Sequence, residues 1–250
     1  MCLILLAWRN HPRFPLVVAA NRDEYYRRRS ASADFWADAP QVLAGCDLEA
    51  GGTWLGVTRT GRFAALTNFR DPARHQPAAP SRGHLVADFL TTTVGIDAYL
   101  DALSAQAYNG FNLLLGDRQR LVAYSNVTGE RHELQPGIHG LSNAVLDTPW
   151  PKIGAGKTAL EQALTSQPDE TALWHLLCDD TIHPDASLPA TGVSLEWERL
   201  LSAAFIRSPD YGTRCSTLIR IENGGILSFD ERTWLPGGQS GERRRFRFQT

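Results

Sequence analysis

The chain has 250 residues, of which 43% are hydrophobic and 21% charged, and its formal net charge is −2. This length can bury a sizeable core, and the near-neutral charge argues against a nucleic-acid partner or an anionic membrane surface. No apolar run approaches the roughly 18–20 residues that cross a bilayer. We therefore expect a cytoplasmic protein with no integral membrane segment.

The chain opens with two apolar runs, Cys2–Trp8 and Pro15–Asn21, separated by a polar turn segment. Runs that are apolar on both faces are typical of strands in the middle of a sheet that is covered on both sides. They predict a β-hairpin. The stretch 23–52 is polar, aromatic and irregular, and we interpret it as a long surface excursion.

Strands and helices then alternate in blocks. Strands are predicted at 53–58, 62–68, 111–116, 120–125, 131–134, 215–222, 225–229 and 244–248, and helices at 83–92, 96–106, 151–166, 169–178 and 194–207. Hairpins dominate and no alternating βαβ order is found, which favours an α+β fold with mainly antiparallel sheets layered with helices. We find no low-complexity linker, so a single domain over 1–250 is expected.

Cys2 is the first candidate for chemistry. Initiator Met is commonly removed before a small residue, which would leave a thiol and a free α-amine on one residue. Their ordinary pKa values, about 8.5 and 7.7–8.0, allow the amine to act as base for its own thiol. The alternative is that Cys2 is a small apolar residue that begins a strand.

Further candidates stand at the ends of predicted strands. In Asn21-Arg22-Asp23-Glu24, Asp23 could orient an α-ammonium and Arg22 could lower the pKa of the thiol by its charge. Amides such as those of Asn68 and Asn143 are suitable oxyanion donors. Each of these residues could equally be a turn residue or a surface charge, as could Arg214 before a late strand.

Several longer motifs occur together: MC at the start, NRDE at 21–24, GGTWLG at 51–56, LTNFRDP at 66–72, GLSN at 140–143, LDTPWPK at 146–152 and YGTRCST at 211–217. In this order they resemble the NRDE family of transport and Golgi organisation 2-like proteins, in the N-terminal-nucleophile hydrolase superfamily. The resemblance runs from Met1 to about Phe229. It implies a four-layer αββα sandwich similar to that of penicillin V acylases and bile-salt hydrolases.

The resemblance also implies roles for individual residues. Cys2 matches the nucleophile, Asp23 the carboxylate that orients the amine, Asn68 and Asn143 the oxyanion pair, and Arg214 a late arginine. The acylase arginine lies three residues before the Asp, where this chain has Ala20, while Arg22 is adjacent to Asp23. Adjacent residues of a strand face opposite ways, so Arg22 is expected not to reach the thiol as the acylase arginine does.

Two functions remain open at this stage. The first is an N-terminal cysteine hydrolase that cleaves the C–N bond of a small, partly apolar amide, with Asn21, Arg22, Glu24 and Trp54 contacting the substrate. The second is a non-catalytic carrier of haem or another hydrophobic ligand on the same fold, since animal members of the family are associated with haem mobilisation. No metal site is predicted, because the four cysteines and seven histidines lack metal-ligand spacing.

Overall fold

Thirteen strands form two antiparallel sheets in the part of the chain that the computed structural model describes, residues 2–165 and 170–250. The strands are β1 (Cys2–Trp8), β2 (Leu16–Tyr25), β3 (Ser30–Phe35), β4 (Val42–Asp47), β5 (Leu55–Thr58), β6 (Phe63–Asn68), β7 (Phe111–Gly116), β8 (Leu121–Ser125), β9 (Arg131–Glu133), β10 (Gly137–Leu141), β11 (Tyr211–Ile221), β12 (Ile226–Leu235) and β13 (Gln239–Gln249). The first sheet has the order β10-β1-β2-β11-β12-β13, and the second runs from β3 to β9 in chain order.

Alternation along the two central strands builds the core on both faces of the first sheet. Ile4 and Val18 point to the cluster shared with the second sheet, whereas Leu5 and Val17 point to the helices on the other side. Burial on both sides explains why β1 reads as a continuous apolar run. The predicted hairpin is therefore confirmed, with β2 extending four residues further than expected, to Tyr25.

Five α-helices cover the outer faces of the sheets: α1 (Gly83–Thr91), α2 (Ile96–Ala102), α3 (Pro151–Ala163), α4 (Glu170–Leu177) and α5 (Leu195–Leu200). Helices α3 and α4 pack on the first sheet through Ile153, Leu160 and Trp174. Helices α1 and α2 pack on the second sheet through Phe89 and Leu100. The layers are thus helix, sheet, sheet and helix, which confirms the predicted αββα sandwich.

Three local predictions were wrong. The expected irregular stretch 23–52 contains β3, whose small and polar residues show no apolar period, and β4, whose short apolar run was overlooked. Strand β10 was missed for the same reason as β3, since it is rich in Gly and His. The helix predicted over 194–207 is only α5, because its later residues turn back to pack on Tyr211 of β11. The predicted helix ends at Ser166 and Asp169 lie outside the described residues.

A glycine turn sets the spacing between the second sheet and α1. Gly52 has a φ of +73°, and a Cβ there would lie 2.4 Å from the carbonyl carbon of Gly83. Only glycine combines this backbone conformation with so close an approach. The turn thereby holds Thr53 and Trp54 beside the N-terminus of α1, at the end of the sandwich where Cys2 lies.

Candidate active site

Cys2 lies at the start of β1 and lines a cleft of about 370 Å³ between the two sheets. The first sheet contributes Cys2 and the β2 residues Arg22, Asp23 and Glu24 to the lining. The second sheet contributes Leu66 and Asn68, and the segment 75–83 closes another side. Residues that are far apart in the sequence therefore meet around one half-buried thiol.

Arg22 lies directly opposite Cys2, because the register of β1 and β2 pairs these two residues. Paired residues on neighbouring strands share a face of the sheet, so the guanidinium lies on the side of the thiol. The expectation that Arg22 would not reach the thiol is therefore wrong. Strand alternation places Arg22 and Asp23 on opposite faces, as expected, but the face that Arg22 occupies is that of Cys2.

The pKa of the Cys2 thiol reflects opposing influences. Burial is the largest, and it raises this pKa together with the negative charge of Asp23. The charge of Arg22 and a hydrogen bond from the backbone of Asp23 lower it, because both stabilise the thiolate. Since burial dominates, the thiol pKa stays raised, and the sulfur needs a nearby base to become a nucleophile.

Asp23 is buried beneath Cys2 and faces β11 and α3. Its Oδ1 accepts a hydrogen bond of 2.7 Å from the hydroxyl of Thr213. Burial raises the pKa of the carboxyl, while the charge of Lys152 lowers it. Lys152 is itself only 3% exposed, and its Nζ donates to the carbonyl of Leu201 at 2.9 Å. Burial lowers the pKa of this ammonium to about 8.

No role was predicted for Lys152 from the sequence, although its position at the start of a helix could have indicated one. It is the second residue of α3, after Pro151. A cation is disfavoured at that position, because the helix dipole places partial positive charge at the N-terminus. A lysine in the first turn therefore indicates a specific environment, and the structure buries Lys152 behind the cleft, where the negative charge of Asp23 acts on its ammonium.

Of the two asparagines predicted as an oxyanion pair, one lines the cleft and the other is buried behind it. Asn68 lines the cleft, whereas Asn143 is 1% exposed and does not. The Asn143 side chain donates to the carbonyl of Asn68 at 2.8 Å, and its Oδ1 accepts from Ser142 at 3.2 Å and Arg70 at 3.4 Å. Asn143 thus positions Asn68. The backbone N–H groups of residues 69 and 70 are already bonded to the carbonyls of Gly110 and Asn143.

Arg214 and Asn21 are also held away from the cleft. Arg214 is the extra residue of a β-bulge, and its Nη1 donates to the carbonyls of Tyr25 and Arg28 at 2.8 Å each. Asn21 faces the helices, where its amide donates to the carbonyls of Leu177 and Ala204. The predicted substrate-binding role of Asn21 does not fit this placement, because its side chain is fully engaged inside the protein.

Trp54 and Glu24, which were predicted to contact the substrate, line the cleft. The guanidinium carbon of Arg22 lies 4.3 Å from the centroid of the Trp54 ring, so the ring holds the arginine in a cation–π contact. Glu24 lies 3.9 Å from Arg28, and Arg28 binds Asp47 at 2.7 Å. Arg28 and Asp47 also lie on the wall of the cleft, and neither was predicted as a site residue.

The chain matches the model of a known family over residues 1–236, which contain every candidate residue described above. The family is described as Transport and Golgi organisation 2. The chain belongs to this family. It is 39% identical to the Transport and Golgi organization protein 2 homolog of Bos taurus and 38% identical to that of Homo sapiens, and each alignment covers 94% of both chains.

Among solved structures, this family member resembles a conjugated bile acid hydrolase from Clostridium perfringens. The TM-score is 0.53 at 9% sequence identity, and the match covers 100% of this chain and 97% of the other. At this identity the likeness shows the fold, which is that of N-terminal-nucleophile hydrolases. In the described ranges 2–165 and 170–250, no helix is long and apolar enough to cross a membrane.

Proposed function

We propose that this chain is an N-terminal cysteine hydrolase that cleaves the C–N bond of a small, partly apolar amide. The observation that carries the proposal is the meeting of Cys2, Arg22 and Asp23 at one cleft between the sheets. A thiol opposite a guanidinium and next to a carboxylate has the components of nucleophilic catalysis. The proposal requires that Met1 be removed, so that the α-amine of Cys2 becomes the base.

The reaction then proceeds in two steps. The sulfur attacks the amide carbonyl carbon while the α-amine accepts the thiol proton, directly or through one water. The C–N bond breaks, the leaving nitrogen takes up that proton, and a thioester remains on Cys2. Water attacks the thioester, the C–S bond breaks, and a carboxylic acid leaves as the thiol is restored. Asp23 orients the ammonium form of the amine, and Arg22 stabilises the thiolate.

Asn68 is the donor that this proposal assigns to the developing oxyanion. Its side chain lines the cleft, and its backbone is held by the amide of Asn143. Donors that are fixed in advance stabilise charge in the transition state without reorganising. Asn143 therefore acts as a positioning residue in place of the second oxyanion donor that the sequence predicted.

Intact-mass measurement and timed alkylation with iodoacetamide near pH 7 test the proposal. We expect a mature chain that lacks Met1 and one thiol that reacts fast. Burial raises the pKa values of Cys46 and Cys178, so these thiols should react slowly. Cys2→Ala should remove the fast phase, and the control Cys178→Ala should retain it.

Retention of Met1, or a fast phase that survives Cys2→Ala, would contradict the hydrolase proposal. Carriage of haem remains a prediction that the same preparation can test. A saturable shift of the Soret band on titration with haem, together with a slow Cys2 thiol, would favour the carrier. The absence of a shift would count against it.

A further inference from the structure

Ion pairs with lining carboxylates hold two of the three arginines of the cleft that contains Cys2. The lining includes three arginines and three acidic residues: Arg22, Arg28, Arg82, Asp23, Glu24 and Asp47. Asp47 binds Arg28 at 2.7 Å and Arg22 at 3.3 Å, and Glu24 lies 3.9 Å from Arg28. Asp23 interacts with Lys152, which lies behind the cleft.

Arg82 forms no ion pair with any residue in the described ranges, and its one side-chain hydrogen bond there is from Nη1 to the carbonyl of Gly110 at 2.9 Å. Arg82 lines the cleft, and burial lowers its pKa, an effect that the negative charges of Glu24 and of a Cys2 thiolate oppose only in part. A half-buried guanidinium that faces a cleft without a carboxylate partner favours the binding of an anion.

Arg22 gives an independent indication on the opposite wall. The residue is 6% exposed, and its Nη1 is buried without a hydrogen-bond acceptor among the described residues. A buried N–H of a charged group that lacks an acceptor is costly, so it is expected to bind one when a ligand enters. Two arginines with unused donors therefore lie beside Cys2: Arg82 in the lining of the cleft, and Arg22, whose unpaired Nη1 is buried behind that lining.

We propose that the cleft binds an anionic group, a carboxylate or a phosphate, through Arg82 with support from Arg22. The claim that this anion is part of a substrate rests on the function proposed above, and it makes that substrate an amide that carries a negative charge near its scissile bond. The planar guanidinium suits both anions, because it can donate two parallel hydrogen bonds to either. Trp54 offers an apolar surface for the neighbouring carbon atoms.

NMR titration with three six-carbon probes tests the anion site on the full chain. Hexanoate and hexyl phosphate carry the two candidate anions, and hexanamide is their uncharged counterpart. We expect both anions to bind at least about tenfold more tightly than hexanamide, the difference typical of a charge-assisted hydrogen bond. The tighter of the two anions identifies the group that the cleft prefers. Equal binding of all three probes would overturn the proposal.

Substitutions of Arg82 test whether this residue is the one that binds the anion. Arg82→Gln should weaken hexanoate binding by about tenfold and leave hexanamide binding unchanged. Arg74→Gln is the matched control, because Arg74 is 80% exposed near the same segment and does not line the cleft. Arg82→Lys keeps the charge but loses the planar pair of donors, so its hexanoate affinity should lie between those of the wild type and Arg82→Gln, which covers the case in which Arg82→Gln disturbs folding. Equal losses of hexanoate affinity in Arg74→Gln and Arg82→Gln would show that the anion is attracted only by the overall positive charge of this region. That result would overturn the proposal.

These measurements separate the anion site from the hydrolase. Binding of hexanoate does not require a reactive thiol, so Cys2→Ala should keep it. If alkylation shows no fast thiol but hexanoate binds through Arg82, the hydrolase proposal fails and the anion site stands. If Arg82→Gln slows alkylation of Cys2 without changing hexanoate affinity, the arginine serves the thiolate and the anion proposal is wrong.

Discussion

At the scale of single residues, the candidate site has charged side chains buried behind Cys2. Lys152 of α3 lies behind Asp23 of β2, and its charge lowers the pKa of that carboxyl through space. Arg70 and Glu198 form an ion pair, with 2.7 Å between Nη1 and Oε2. Removing one member of such a buried pair leaves an uncompensated charge, so Arg70 and Glu198 hold each other in place.

Lys152→Met should change how stability depends on pH. The pKa of Lys152 is about 8 in the folded chain and about 10.4 when unfolded, so between these values the unfolded chain binds more protons. Wild type should therefore gain roughly 2–3 kcal/mol of unfolding free energy as pH rises from 8 to 10.5, and lose it again as pH falls from 10.5 back to 8. The variant should lack this gain in urea denaturation.

Lys157→Met is the control for that measurement. Lys157 lies on the same helix, but its side chain is half-exposed and pairs with Asp147. We expect this variant to keep the wild-type slope between pH 8 and 10.5. A Lys152→Met variant with the wild-type slope would show that the ammonium is not desolvated as described.

At the scale of elements, a glycine in β4, Gly45, leaves the space in which Trp54 packs at the wall of the cleft. A Cβ on Gly45 would lie 2.4 Å from the ring of Trp54, so the glycine leaves the space that the indole occupies. Trp54 in turn contacts the guanidinium of Arg22. A single position on β4 thereby affects the electrostatics of Cys2 on the other sheet.

Gly45→Ala should displace Trp54 and loosen Arg22. We expect a loss of about 1–3 kcal/mol in unfolding free energy, as for overpacking in a core, together with slower alkylation of Cys2. Gly154→Ala is the control, because no atom lies within 4 Å of its added Cβ on helix α3, and it should stabilise the chain slightly. Alkylation of Gly45→Ala at the wild-type rate would show that Trp54 does not restrain Arg22.

The elements also show what the sequence can and cannot predict. Strands β1 and β7 follow from their apolar runs, and the start of α3 follows from Pro151. Strand β4 is harder to find, because its apolar run is short and Gly45 is specified by Trp54 across the sheet rather than by local propensity. Likewise, strand alternation places Arg22 relative to Asp23, but only the pairing register shows which of them faces Cys2.

At the scale of the whole molecule, Glu231 connects the two sheets. It is 2% exposed on β12 of the first sheet, and its Oε1 accepts a hydrogen bond of 2.7 Å from the backbone of Ala33 on β3 of the second. Burial raises the pKa of this carboxyl to about 7. The folded chain therefore carries, between its layers, an acid that titrates near neutrality.

Glu231→Gln should remove the loss of unfolding free energy that wild type suffers when the buried carboxyl ionises. The folded pKa of about 7 exceeds the unfolded value of about 4.3, so the folded state binds more protons between them. Wild-type stability should fall by up to about 3 kcal/mol as pH rises from 4.5 to 7.5, and the variant should lose less. Thermal denaturation across this range measures the difference. The exposed control Glu130→Gln should behave as wild type.

The bulge at Arg214 has a consequence for the tolerance of the chain to insertion and deletion. Because Arg214 is an extra residue, Thr213 and Cys215 point to opposite faces of the sheet although they are two residues apart. Thr213 pairs with Asp23, and Cys215 pairs with Arg22. Deleting Arg214 would remove the bulge and leave Thr213 and Cys215 as neighbours, still opposite Asp23 and Arg22, because neighbouring residues of a strand alternate between its faces. The strand can therefore lose this position without turning Thr213 away from the carboxylate, although the hydrogen bonds from Arg214 to the carbonyls of Tyr25 and Arg28 would be lost.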